Sequence, residues 1–160
     1  MSEFNFWVNG KKDYLDGYRW IQGDTLNILG RGFIPGLTTS PLPTASFTLT
    51  DNNNPIESTV LINAKPFTVS YVPTLNVLEL ELLLDSADTL NIQLDQTLGL
   101  IYGLIPGHVD FYKPAKKLHW EAQLIQVSPR ITKTFQGTFV ISTDYNKDNL
   151  TPTPAPSPSP

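Results

Sequence analysis

Between Leu118 and Thr143 the large apolar residues fall on every second position, the period of a strand with one buried face. Leu118, Trp120, Ala122 and Leu124 share one side of the first half, and His119, Glu121 and Gln123 the other. Beyond Ser128-Pro129-Arg130 the pattern resumes, with Ile131, Phe135, Phe139 and Ile141 on the side of Gly137 and Thr132, Thr134, Gln136 and Thr138 opposite. The stretch predicts two long strands and a tight turn, in a register that a slip of one residue would invert. Gly137, inside the second strand, predicts a bulge or the close approach of another backbone.

The same period recurs upstream. It predicts strands over Thr25–Leu29 with Leu26 and Ile28 inward, Ala45–Asp51 with Phe47 and Leu49 inward, Thr59–Asn63, Pro66–Val72 with Phe67, Val69 and Tyr71 on one face, and Thr89–Leu94 with Leu90, Ile92 and Leu94 inward. Val77–Leu84 is built from leucine and glutamate, which favour helix. Residues two apart do not share a helix face, however, so the alternation of Leu78, Leu80, Leu82 and Leu84 predicts a strand there as well. Phe4–Val8 predicts a first strand, Asn9-Gly10 a two-residue hairpin turn, and Tyr14–Ile21 the return arm, with Asp16-Gly17 as its weak point. A helical turn capped by Asp95 is expected over Asp95–Tyr102, then a loop from Pro106 to Lys117. Eight to ten short strands separated by turn residues, with almost no helix, predict an all-β antiparallel sandwich.

Three segments follow from this pattern: an aromatic-rich N-terminal arm or hairpin at 1–22, a sandwich domain at 23–146, and an extended proline-rich tail at 147–160. The arm carries Phe4, Phe6, Trp7, Tyr18 and Trp20, rings suited either to a core or to docking on a neighbouring subunit. The tail ends in TPTPAPSPSP, where Pro152, Pro154, Pro156, Pro158 and Pro160 leave too few N–H donors for a ladder and favour polyproline II. Such a segment is suited to lying in a groove on a partner or on an adjacent copy. The arm rings and the tail prolines are therefore the candidate partner-binding residues, and a homo-oligomer is expected.

Composition narrows the function. With 160 residues the chain can bury a core unaided, and with no cysteine it has neither disulfides nor thiolate metal sites. A net charge of −4, with Lys113, Lys116 and Lys117 as the nearest thing to a basic stripe, argues against nucleic-acid binding. No apolar run approaches the length that spans a bilayer, and no export signal of the standard kind opens the chain.

Candidate chemistry is sparse. Gly30, Gly32, Pro35 and Gly36 have neither the spacing nor the following helix of a phosphate-binding loop, and the cluster predicts an ordinary loop. Asp51-Asn52-Asn53-Asn54-Pro55 begins like a calcium loop, but the positions that need Gly and Glu hold Ile56 and Ile62. His108 and Asp110 lack a third ligand, and His119 stands alone. Glu79 and Glu81 point the same way from a strand, which is the arrangement of a solvated outer face far more often than of paired catalytic carboxylates. No nucleophile stands beside a base in a known order, so no catalytic residue, metal or cofactor is predicted. The sequon at Asn149-Leu150-Thr151 has no export signal to give it meaning.

Four short segments resemble small immunoglobulin-like structural proteins of tailed bacteriophages: Gln22-Gly23-Asp24-Thr25, Phe47-Thr48-Leu49-Thr50-Asp51, Trp120-Glu121-Ala122-Gln123-Leu124, and Gln136-Gly137-Thr138-Phe139-Val140 running on to Asp144. The likeness covers roughly residues 19–146. The chain departs from the pattern in lacking an arginine directly before Gly23 and in carrying a long insert between Gly103 and Lys117. The resemblance implies an immunoglobulin-like sandwich and a non-enzymatic virion protein assembled in the host cytoplasm. It further implies a capsid decoration or cement role bound to the major capsid protein or other virion proteins, with a trimer favoured. A tail, baseplate or fibre-adaptor protein is the alternative under the same resemblance. A carbohydrate-binding module that presents Trp7, Tyr18 or Trp20 to sugar rings is a second alternative.

Overall fold

The computed structural model describes residues 4–52, 54, 56, 58–89, 92–94 and 115–142. These hold ten strands: β1 (Asn5–Val8), β2 (Asp13–Tyr14), β3 (Tyr18–Ile21), β4 (Leu26–Gly32), β5 (Thr44–Thr50), β6 (Val60–Pro66), β7 (Thr68–Val72), β8 (Val77–Leu84), β9 (Ala115–Gln126) and β10 (Ile131–Ser142). They form two five-stranded sheets, ordered β2-β1-β4-β8-β7 and β3-β10-β9-β5-β6. Every pairing is antiparallel except that of β3 with β10. The fold is an all-β sandwich.

The alternation read from the sequence is the alternation that packs. Leu26 and Ile28 of β4 and Leu78, Leu80, Leu82 and Leu84 of β8 are buried from one sheet, and Phe47 and Leu49 of β5 and Leu118, Trp120, Ala122 and Leu124 of β9 from the other, all in one continuous core. The leucine-glutamate run of β8 is a strand because its leucines can reach that core only with period two. β9 and β10 run antiparallel over twelve residues each, joined by residues 127–130.

Several boundaries differ from expectation, each for a local reason. The turn after β1 has four residues, since Val8 pairs with Asp13, and Asn9, Gly10 and Lys11 all take positive φ. The predicted return arm divides: β2 stays beside β1, while the chain turns at Gly17, φ 81°, and delivers β3 to the other sheet. Thr138 fixes that crossing, its N–H donating to Asp16 Oδ1 at 2.9 Å and its carbonyl accepting from Gly17 N at 2.6 Å. Gly30 and Gly32 lie in β4 and not in a loop. Of the strand predicted over 89–94, the described residues 89 and 92–94 join no ladder; a 3-10 turn over Ser86–Asp88, capped reciprocally by Asp85 and Asp88, precedes them. β9 opens at Ala115, so Lys116 and Lys117 belong to a strand. The predicted helical turn at 95–102, the loop with Lys113, His108 and Asp110, and the tail lie outside the described residues.

Candidate interaction site

Two glycines set the geometry where the sheets meet. In the first sheet Phe6 of β1 stands opposite Gly30 of β4; in the second, Trp120 of β9 stands opposite Gly137 of β10. A Cβ on Gly30 would lie 2.6 Å from the Phe6 ring, and one on Gly137 would lie 2.6 Å from both the Trp120 ring and Asp16 Oδ1. Each ring thus lies flat across the glycine beside it, and the two meet with centroids 5.5 Å apart. The ladder passes Gly137 without a bulge, and what approaches it is an indole and a carboxylate, not the backbone expected from the sequence.

Around this pair Phe135 packs 5.4 Å from Phe6 and from Phe4, and Phe47 stacks on Trp120 at 6.4 Å. On the side of β2 the aromatic cluster opens into a groove of about 450 Å³, lined by Phe4, Phe6, Tyr14, Asp16, Trp120 and Phe135 with the polar ends of Asn5 and Gln136. Trp120 is buried, and among the described residues its indole N–H has no acceptor.

The arm residues are divided by this arrangement. Phe4, Phe6 and Trp20 are core residues, and Trp20 donates its indole N–H to the Asp24 carbonyl at 3.1 Å. Trp7 and Tyr18 are half-buried. Trp7 faces outward from β1, stacked on Tyr14 at 6.2 Å and 27°, with Lys11 Nζ 5.4 Å above its ring. Tyr14, 64 % exposed, completes a surface pair that the sequence pattern did not single out. The tail positions Pro152, Pro154, Pro156, Pro158 and Pro160 lie outside the described residues.

Two buried glutamines also escaped the sequence reading. Gln22 donates to the carbonyls of Thr89 and Ile92, both at 2.9 Å, and ties the end of β3 to the segment after β8. Gln126 donates to Gly36 and Pro129 and accepts from Thr38 N at 2.6 Å, which fastens the β4–β5 connection to the β9–β10 turn. Neither has a sequence signature, because a buried amide is defined by partners far along the chain.

No family model and no curated protein matches the sequence.

The remaining candidates from the sequence are occupied in structural roles. Asp51 Oδ1 accepts from Thr59 N at 2.8 Å, Asn52 Oδ1 from Asn54 N at 2.8 Å and Asn54 Oδ1 from Ile56 N at 2.9 Å, the side-chain-to-backbone bonds of turns. Glu79 forms an ion pair with Arg31 across β4 and β8, and Glu81 is exposed on the same outer face. Among the described residues no three metal-ligating side chains cluster, and no helix is long and apolar enough to cross a membrane.

On the outer face of the second sheet a hollow of about 300 Å³ is lined by Thr48, Thr50, Asn52, Ser58, His119 and Glu121. Burial holds the His119 imidazole below its ordinary value, the Lys117 ammonium lowers it further, and Asp51 opposes both. A folded-state value below the unfolded one gives stability that is present above the ordinary histidine value and lost as pH falls through the lowered one. An NMR titration of the His119 ring is expected to show a midpoint below the ordinary value. Urea midpoints are expected to decline across the same interval, with the decline reduced in His119→Gln; a midpoint at or above the ordinary value refutes the burial argument.

Proposed function

We propose that the chain is an immunoglobulin-like, non-enzymatic structural protein of a tailed-phage particle, acting on the capsid as a decoration or cement protein. Strand order is the observation that carries the immunoglobulin-like part of this reading. β1, β4, β8 and β7 follow the A-B-E-D order of an immunoglobulin sheet, and β10, β9, β5 and β6 the G-F-C-C′ order of its partner. The four segments that carry the resemblance fall in register with this mapping: Gln22 to Thr25 directly before strand B, Phe47 to Thr50 on C with Asp51 just past its end, Trp120 to Leu124 on F, and Gln136 to Val140 on G. Folds of this architecture host many functions, so the particle assignment rests on the short segments and not on the sandwich itself.

In this reading the partners are the major capsid protein or other virion proteins, and the protein is a homo-oligomer, with a trimer favoured for decoration at three-fold positions. The chain is expected in purified particles by mass spectrometry and on the capsid shell by cryo-microscopy. Density on the tail or baseplate moves the assignment to an adaptor protein. Absence from purified particles ends the virion reading.

The stacked Trp7 and Tyr14 pair favours one second reading, a carbohydrate-binding module, since outward aromatic rings offer a flat face to sugars. Tryptophan fluorescence during titration with host polysaccharides tests it, and an unchanged spectrum removes it.

A further inference from the structure

We propose that the groove lined by Phe4, Phe6, Tyr14, Trp120 and Phe135 is the docking site for the chain's own proline-rich tail, residues 151–160. Docking is read on purified protein, and its outcome is independent of whether the chain occurs in phage particles.

The groove is aromatic, with Asp16 as the single charged side chain among its described lining residues. The tail carries no charge and no side chain larger than proline or threonine. In polyproline II three residues make a turn, so positions three apart share an edge. That period places Pro152, Ala155 and Pro158 on one edge, which is apolar throughout, while the other two edges carry threonine or serine. Proline-rich segments with such an edge bind aromatic-lined grooves, because the backbone is already restricted and loses little freedom on docking. The carbonyls of polyproline II make no internal hydrogen bonds. The Trp120 indole N–H itself is buried out of reach, so what the groove offers the tail is the aromatic surface of Phe4, Phe6, Tyr14, Trp120 and Phe135.

Reach permits the contact within one chain. β10 ends at Ser142, and the groove lies beside Phe135, seven residues back, which is about 23 Å at strand spacing. The eighteen residues from 143 to 160 extend to about 56 Å at polyproline II spacing, enough to reverse direction and lie along the groove. Covalent attachment also gives the tail an effective concentration that a free partner seldom matches.

The absence of cysteine makes Ser159→Cys a unique attachment point for a nitroxide label on the full-length chain. The expected result is loss of most of the intensity of the Trp120 indole cross-peak in the ¹⁵N spectrum, restored when the label is reduced. Replacing Pro152, Ala155 and Pro158 together with serine is expected to abolish the loss and to raise the tail's susceptibility to protease. An unaffected Trp120 peak overturns the proposal. So does broadening that persists in the serine variant. Broadening of an unmodified ¹⁵N chain mixed with a labelled, isotopically silent one overturns it in favour of exchange between copies.

Discussion

Trp120→Ala is expected to lower the unfolding free energy by roughly 3–5 kcal/mol, the range for removing a large buried aromatic. The loss comes from several contacts at once. Trp120 packs against Phe6 and Phe47, covers Gly137, and lines both the aromatic groove and the polar hollow on the outer face. Gly137 opposite contributes no side chain that could collapse into the space, so the cavity remains large. Trp120→Phe keeps the ring contacts and is expected to cost far less. Chemical denaturation of the two variants decides the matter: similar losses for both show that ring volume is not what Trp120 contributes.

Gly30→Ala is expected to destabilise by roughly 1–3 kcal/mol through overpacking. The sign is the informative part. Gly30 does not require a positive φ, and in a strand interior the change from glycine to alanine ordinarily stabilises by about 0.5–1 kcal/mol. Here the new methyl would lie 2.6 Å from one Phe6 ring carbon and 2.9 Å from the next. Phe4, Phe67, Trp120 and Phe135 hold the ring in place, so it can yield only by giving up these contacts and moving toward the groove. Phe6→Leu in the Gly30→Ala background is expected to recover part of the loss, a non-additivity that thermal denaturation of the four-member cycle measures. Additive effects would mean that Phe6 and Gly30 are not the constraint.

These two sites mark the limit of what the sequence discloses. Period two was legible wherever one strand face meets the core, and it placed β4, β5, β8 and β9 with their buried residues. It does not record which sheet a strand joins. β6 and β7 are nearly contiguous yet lie in different sheets, and the break between β2 and β3 was foreseen at Asp16-Gly17 while the change of sheet was not. Gly30 read as loop because glycine clusters ordinarily punctuate turns. Only the ring laid across it, supplied by a strand far away in sequence, explains its place in a ladder. For the candidate site, the aromatics of the first twenty residues were legible as a group, but their division into core and surface depends on Trp7 facing outward and Phe6 inward from the same short strand. Tyr14 was legible as one of those aromatics, but its stacking on Trp7 was not.

The pairing of β3 with β10 bears on how the chain is made. Tyr18 to Ile21 are synthesised about 120 residues ahead of their partners, Phe139 to Ser142. At about 5–20 residues per second the interval is roughly 6–24 s, during which Trp20 has no Phe139 to pack against. The first sheet is complete in sequence by Leu84 and the second waits for its longest hairpin. Until β9 and β10 have been made, the first sheet has no full partner to cover its apolar face, so the sandwich closes when that hairpin arrives rather than strand by strand.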